Sequence, residues 1–239
     1  MKFENVELSQ LNKHYAKRRP LSLKIVDVFL LIYILILLFY ATFCTIFIQV
    51  EIVGHSMQPT YNQKLKEWED AESSIYKDIA FANRFDKGTN GDIVVINTKN
   101  DGAVIKRIIA TGGQELTLRY ASVNGFNAYY FYLKNKDDAK EKLLEEEYIL
   151  DRAAMDYQYW EIFRNENADF IINEDYGHHT TILIPEGQVF VLGDNRKLSN
   201  DSSKYGPVNQ EDILGKVVFS YAYNENIFVY LWKQLCLIF

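Results

Sequence analysis

The longest apolar stretch of the chain runs from Val28 to Ile48, 21 residues without a charged side chain. A helix needs about 20 apolar residues to cross a bilayer. A cleavable signal peptide has a shorter apolar region of about 7–15 residues and ends in small residues, whereas this stretch continues into the bulky sequence TIFIQVE. The pattern therefore predicts an uncleaved transmembrane helix over 28–48.

Beyond residue 48, the apolar positions fall into short runs rich in β-branched and aromatic residues, a pattern that predicts strands. One strand enters a turn at Gly54, and two more, 92–98 and 103–111, are separated by the sequence KNDG and predict a hairpin. The polar stretch 63–91 predicts a surface excursion with some helix. The expected fold class is mainly β, with an amino-terminal transmembrane helix followed by a β domain over 49–239.

Residues 116–184 have a different pattern of residue types and are interpreted as an inserted α+β cap on this β domain. Their first part is aromatic and strand-like, whereas 137–163 is acidic and has helical spacing. Four apolar residues in that stretch are interpreted as the packing face of a helix: Leu143, Leu144, Ile149 and Leu150. The strand pattern then returns around the turn 185–187.

The last 13 residues, 227–239, are apolar but are interrupted by Lys233 and Gln234. This length is too short to span a bilayer. A final strand and a membrane-surface contact through Trp232 are both open interpretations.

Charge is distributed unevenly along the chain. Residues 1–27 contain six Lys or Arg against three acids, whereas the whole chain has a net charge of −6. The positive-inside rule predicts that 1–27 is cytoplasmic and that 49–239 lies outside the cell membrane, so the lipid bilayer is an expected partner. The acidic excess of the exported part gives no support for nucleic-acid binding.

The cysteines and histidines predict neither a disulfide framework nor a metal site. Cys44 and Cys236 lie in apolar surroundings at opposite ends of the sequence, and the histidines lack metal-ligand spacing. We expect no cofactor.

Ser56, in the sequence GHSMQPTY, is a candidate nucleophile, which would need a base within hydrogen-bonding reach. His55 is poorly placed, because adjacent residues of an extended chain point to opposite faces. His178 and His179 lie in a turn-like sequence and are interpreted as solvated. A Ser-His-Asp triad with Asp194 or Asp201 has no local signature.

Lys106 is the other candidate base. In a strand AVIKRII, Val104, Lys106 and Ile108 share one otherwise apolar face. Most lysines in strands lie at edges or reach solvent, so that alternative stays open. A buried lysine would lose its preference for the charged form, and a neutral amine can accept the proton of a serine.

A third cluster, GDNRKLSNDSSKYG, occupies residues 193–206. Small polar residues between two glycines are typical of a loop held by side-chain turns. The same residues could supply a hydroxyl that orients a lysine amine, and carboxylates that hold the loop.

Four segments in this order resemble the bacterial type I signal peptidases, which are membrane-anchored Ser-Lys proteases. The matching residues are Ser56-Met57-Gln58-Pro59-Thr60, Gly91 to Val94, Lys106-Arg107-Ile108-Ile109 with Gly113, and Gly193-Asp194-Asn195 with Ser199-Asn200-Asp201-Ser202.

The resemblance implies a role for each matching side chain. Ser56 would attack the carbonyl, and Lys106 would act as general base and then as acid. Ser199 would orient the lysine amine, and Asp201 would brace the loop. Two further residues are expected to support the site: Asp194 and Asn195.

The resemblance also implies a substrate-binding groove, to which we assign Met57, Gly54 and Pro59. Exported preproteins would bind there in extended form, as a strand added to an exposed edge. The backbone N–H of Ser56 would donate to the oxyanion. Secretion or surface-assembly machinery is a further candidate partner.

Three positions depart from the family pattern. Gly54 stands where many relatives have a hydroxyl residue, and ATGGQ replaces a proline-containing turn. Ser203 stands where an arginine usually pairs with the aspartate, so Lys204 or Arg107 could substitute.

A second function is open at this point: an assembly factor or chaperone, for instance in pilus biogenesis, that binds exported segments without cutting. Degenerate relatives of that kind tend to lose the serine or the lysine. This chain keeps both, so a serine endopeptidase that removes signal peptides is the leading hypothesis.

Overall fold

The computed structural model describes residues 21–66, 77–98, 102–149 and 151–222. The chain divides into two compact units, Met1–Thr45 and Ile46–Phe239. The two interpretations of 227–239 fall outside the described residues.

Helix α1, Leu21–Ile46, is the main feature of the first unit. Its portion Lys24–Ile46 is long and apolar enough to cross a membrane, with a mean hydropathy of 2.6. The predicted span ends two residues too late, because Phe47 and Ile48 pair with Asn83 and Ala82 in a sheet.

The described part of the second unit contains two antiparallel sheets, and the predicted mainly β fold class with an amino-terminal helix is confirmed. The strands are β1 Phe47–Ile52, β2 Asp78–Asn83, β3 Ile93–Thr98, β4 Gly102–Thr111, β5 Glu115–Val123, β6 Phe126–Lys134, β7 Lys142–Leu143, β8 Ile171–Asp175, β9 His179–Leu183, β10 Gln188–Leu192, β11 Val208–Asn209 and β12 Ile213–Tyr221. The helices are α2 Tyr157–Glu166, α3 Ser202–Tyr205 and the 3-10 helices Arg152–Ala154, Ala168–Phe170 and Gln210–Asp212.

The first sheet has the order β1-β2-β12-β3-β4-β10-β11. It contains the predicted hairpin of β3 and β4, in which Val94 lies opposite Lys106. Strand β10 pairs with the other side of β4. Lys106 therefore lies on an interior strand of the sheet.

The second sheet, β7-β6-β5-β9-β8, is formed within residues 115–183. The two ends of the chain segment that forms this sheet lie next to each other, because Gly113 N donates to Ile184 O at 2.9 Å and Ile184 N donates to Gln114 O at 3.0 Å. The chain thus leaves the first sheet after β4 and returns to it at β10.

Helix α2 packs between the second sheet and β10. It begins at Asp156, whose Oδ1 accepts from Tyr159 N at 3.0 Å, as N-cap aspartates do. Trp160 and Phe163 are fully buried in an apolar cluster that includes Phe131 of β6 and Phe190 of β10. Each such burial contributes about 1.5–3 kcal/mol, so apolar packing ties the two sheets together.

Of the stretch 137–163, whose spacing predicts helix, the end forms α2 and Arg152–Ala154 forms a 3-10 helix, but 137–149 does not form a helix. Lys142 and Leu143 instead pair with β6, and Leu144 N donates to Phe131 O at 2.9 Å. The residues still pack as expected: Leu144 and Ile149 contact the core cluster. Backbone pairing with β6 overrides the local spacing, and Leu150 lies outside the described residues.

Strand β2 lies inside the stretch that the sequence assigns to a surface excursion. Ala80 and Ala82 on one face of β2 and Phe81 on the other are all buried, so both faces of the strand are covered. A strand covered on both sides lacks a clear polar alternation, which is why the pattern fails there.

Candidate active site

Ser56 lies in the turn that follows β1. Gly54 has φ +97°, a left-handed conformation that glycine adopts without a Cβ penalty. The buried side chain of Asn62 holds this turn from inside, since its Nδ2 donates to Ile52 O at 2.7 Å and to Gly54 O at 3.0 Å.

The Lys106 amine reaches Ser56. Lys106 is only 4% exposed, and its Nζ lies 3.0 Å from Ser56 Oγ. This distance is within the hydrogen-bonding reach that a serine nucleophile and its base require. Burial disfavours the charged form of an amine.

The histidines are placed elsewhere. His55 Nδ1 lies 3.4 Å from Gln58 Oε1. His179 begins β9 in the second sheet, and His178 O accepts from Tyr120 N of β5.

Asp194 joins three parts of the site. It is fully buried, and its carboxylate accepts from Arg107 Nε at 2.8 Å and Arg107 Nη2 at 2.6 Å. Thr60 Oγ1 also donates to Asp194 Oδ2. Burial acts to lower the pKa of Arg107, but the carboxylate of Asp194 outweighs it and raises that pKa. One carboxylate thus fixes the serine segment and the lysine strand to the 193–195 turn.

Gly193 and Asn195 approach the backbone of Ser56 closely. Asn195 N donates to Ser56 O at 3.0 Å. A Cβ at Gly193 would lie 2.4 Å from Ser56 O and 2.3 Å from Ser199 Oγ. Only glycine leaves room for this arrangement.

Asp201 holds the loop through hydrogen bonds. Its Oδ2 accepts from Gly193 N at 2.9 Å, and its Oδ1 accepts from Ser203 Oγ at 2.7 Å and Ser203 N at 3.1 Å. Lys204 Nζ donates to Ser199 O at 2.6 Å instead. Among the described residues, neither Lys204 nor Arg107 forms the substitute ion pair with Asp201.

Ser199 is buried close to Gly193. Its hydroxyl has no hydrogen-bond partner among the residues that the structure describes. The hydrogen bond to the Lys106 amine that the sequence resemblance implies is not formed, so the orienting role of Ser199 stays a prediction.

A groove of about 190 Å³ lies beside Ser56, between β1 and the first half of β4. Its lining consists of residues 50–53, Ser56, Met57 and 103–106. Met57 is part of this lining, whereas Gly54 and Pro59 are not, and the assignment of the three residues to substrate binding stays a prediction. Among the described residues, no group of His, Cys, Asp and Glu side chains is arranged to hold a metal ion.

The family model described as signal peptidase, peptidase S26, matches residues 25–222. The chain belongs to this family. The match covers the apolar helix and both sheets, and the sequence resemblance to signal peptidases is confirmed.

Individual signal peptidases are also similar. Signal peptidase I V of Bacillus subtilis is 27% identical over 172 residues, covering 72% of this chain and 84% of that protein. Signal peptidase I of Rickettsia rickettsii is 30% identical over 158 residues, 61% of this chain and 54% of that protein. A signal peptidase I structure from Enterococcus faecalis is 25% identical and covers 55% of this chain and 97% of that chain, with a TM-score of 0.33.

This signal peptidase family member is a peptidase, and its function is removal of signal peptides. The helix α1 and the similar signal peptidases fit a membrane-anchored protein. The alternative of a non-cleaving assembly factor is not favoured.

Sequence reasoning missed the contribution of Asn62 to the signal peptidase site. Besides holding the turn, its backbone N donates to Asp78 Oδ2 at 2.7 Å and its Oδ1 accepts from Asp78 N at 2.9 Å. An asparagine six positions after the candidate serine has no distinguishing pattern, because its role depends on the start of β2.

Proposed function

We propose that this signal peptidase cuts exported preproteins with Ser56 as nucleophile and Lys106 as general base. The observation that carries the proposal is the 3.0 Å contact between the buried Lys106 Nζ and Ser56 Oγ. A neutral amine at this distance can take the hydroxyl proton while Oγ attacks the scissile carbonyl.

The rest of the cycle uses the same two side chains. The resulting Lys106 ammonium gives its proton to the leaving amine, which frees the carboxy-terminal product and leaves an ester on Ser56. Water then attacks the ester while Lys106 accepts a proton from that water. Lys106 passes the proton to Ser56 Oγ as the ester bond breaks and the amino-terminal product leaves.

The oxyanion would be stabilised mainly by backbone donors, because Gly54 has no hydroxyl. We assign the N–H of Ser56 to this role. The bond from Asn195 N to Ser56 O holds the next peptide unit along the chain, between Ser56 and Met57, and so limits movement of the Ser56 backbone. Loss of one oxyanion donor typically costs about 10²–10³ in rate.

The groove supports an extended substrate. Strand β1 is at the edge of the first sheet, so a peptide can add to it through main-chain hydrogen bonds. Val50, Ile52 and Met57 line the groove, which favours small apolar side chains before the cleaved bond.

We assign the second unit to the outer face of the cytoplasmic membrane. The basic segment 1–27 favours a cytoplasmic amino terminus, and Ser56 follows the end of α1 at Ile46 by only ten residues. A translocated signal peptide presents its cleavage site near the same surface.

The test is processing of a preprotein by the full-length protein in proteoliposomes, comparing the parent with Ser56→Ala and Lys106→Ala. We expect each variant to lose roughly 10⁴-fold or more in rate. Lys142→Ala is the matched control, because that lysine side chain is 72% exposed, and it should process like the parent.

Normal processing by either site variant would refute the Ser-Lys mechanism. An inert parent whose Ser56 or Lys106 variants disrupt assembly of a surface structure would instead support a non-cleaving assembly factor.

A further inference from the structure

The irregular segment 144–149 of the second sheet reaches toward the Gly193–Asn195 turn. It is fixed at its base, because Leu144 N donates to Phe131 O at 2.9 Å and Leu144 and Ile149 pack on the core cluster. Of the four polar residues between these anchors, Glu145 and Glu147 are exposed, whereas Glu146 is buried and Tyr148 is half-buried.

Glu146 forms a buried ion pair with Arg196. The side chains are 1% and 0% exposed. Arg196 Nη2 donates to Glu146 Oε1, and Arg196 Nε donates to Gly193 O at 3.1 Å. Burial acts to lower the pKa of Arg196, but Glu146 outweighs it and raises that pKa. The guanidinium therefore stays charged where it holds the Gly193 carbonyl.

Tyr148 contacts the other arginine of the site. The guanidinium carbon of Arg107 lies 3.9 Å from the centre of the Tyr148 ring, a distance at which cation–π attraction is effective. Tyr148 OH donates to Glu146 Oε1 at 3.2 Å. The same segment thus touches both arginines that hold the turn, Arg196 at Gly193 and Arg107 at Asp194.

Stability alone does not account for such a pair. Replacing a buried ion pair by well-packed apolar residues is often neutral or stabilising, because desolvation of the charges offsets their attraction. What the pair and the stacked ring provide is a defined position for the turn whose Asn195 N–H holds Ser56 O.

We infer that Glu146 and Tyr148 are positioning residues of the peptidase site, acting through Arg196 and Arg107 on the Gly193–Asn195 turn. The second sheet then does more than cover the first, since it sets the backbone position of the nucleophile. This inference rests on the proposed Ser56–Lys106 mechanism.

The experiment measures kcat, KM and thermal stability of the full-length protein on one preprotein. The double variant Glu146→Leu/Arg196→Met replaces the two fully buried charges by apolar groups and leaves the partly exposed Arg152, the other ion-pair partner of Glu146, without that carboxylate. Tyr148→Leu removes the stacked ring. We expect kcat to fall roughly 10- to 100-fold for each, with KM unchanged, because small displacements of a reacting group cost rates of this order.

Two further variants separate positioning from folding. Tyr148→Phe keeps the ring against Arg107 and should recover most of kcat. Arg164→Gln removes an ion pair with Glu174 elsewhere in the second unit, and it should leave kcat unchanged.

The inference is overturned if the double variant and Tyr148→Leu keep the parental kcat, whatever happens to their melting temperatures. If the double variant does not fold, the comparison of Tyr148→Leu with Tyr148→Phe decides, and equal kcat values would reject the inference. Processing that survives Ser56→Ala would refute the proposed mechanism itself, whereas processing that needs Ser56 but ignores Glu146 and Tyr148 refutes this inference alone.

Discussion

The surroundings of Ser56 and the interior of the second sheet are held together by different forces. Around Ser56, buried polar groups fix the backbone through directed bonds, such as those of Asp194 to Arg107 and Asp201 to Gly193. In the second sheet, large rings fill the space between β6 and α2, including Phe131, Trp160 and Phe163. Apolar packing tolerates small shifts, whereas the reacting groups need defined positions, so we expect damage to the two regions to differ in kind.

The largest expected effect is on stability, from Trp160→Ala in helix α2, which packs on the second sheet. Trp160 is fully buried and its ring lies 5.9 Å from that of Tyr129. Removing such a side chain typically costs about 3–5 kcal/mol. Denaturant unfolding should show this loss, while kcat of the folded fraction stays near the parental value.

Trp160→Phe is the control for this change, because it keeps a ring in the cavity and should recover part of the lost stability. A Trp160→Ala protein that is as stable as the parent but has a reduced kcat would contradict the comparison, in which the apolar cluster supports stability and the surroundings of Ser56 support activity.

A smaller effect, now on activity, is expected from Gly193→Ala. The added Cβ would lie 2.4 Å from Ser56 O, so the turn must move and carry Ser56 with it. A displacement of about 1 Å can cost about 10²-fold in rate. Single-turnover cleavage of a preprotein should show the loss.

Gly215→Ala provides the matched control for crowding. Its Cβ would lie 2.5 Å from Asn83 O, between strands of the first sheet. It should reduce stability but keep kcat in the folded fraction. Equal losses of kcat in both variants would mean that crowding alone, and not the position of Ser56, explains the Gly193 result.

The smallest expected effect comes from a change of pH. Below the pKa of Lys106, kcat/KM should fall by about tenfold for each pH unit. Burial disfavours the charged amine, so the pKa of Lys106 should lie below the ordinary value of a lysine, about 10.4. The base is active when neutral, hence activity should rise with pH through that lowered pKa. A limb near 10 in the pH–rate profile would contradict the buried-amine mechanism.

The sequence was sufficient to propose Ser56 and Lys106 as the reacting pair, but only through the resemblance to signal peptidases. The local pattern made Ser56 and Lys106 candidates, and it left a solvent-reaching lysine as an open alternative. The β3–β4 hairpin was equally visible, because its β-branched runs lie close together in the chain.

Residues that act through distant partners could not be predicted in this way. Asn62 and Glu146 are polar residues in polar sequence, and each is buried only because another strand or loop covers it. The helical spacing of 137–163 failed over 137–149 for the same reason, since pairing with β6 is not encoded locally.

The meeting of residues 113–114 with Ile184 has a practical consequence for protein engineering. A short artificial turn from Thr111 to Gln188 could bypass the whole excursion, because Thr111 and Val189 are already paired neighbours. Such a miniature enzyme would retain Ser56 in its turn and Lys106 on β4 while lacking Glu146 and Tyr148. Its turnover would measure directly how much the excursion contributes to the rate of the first sheet's reacting pair.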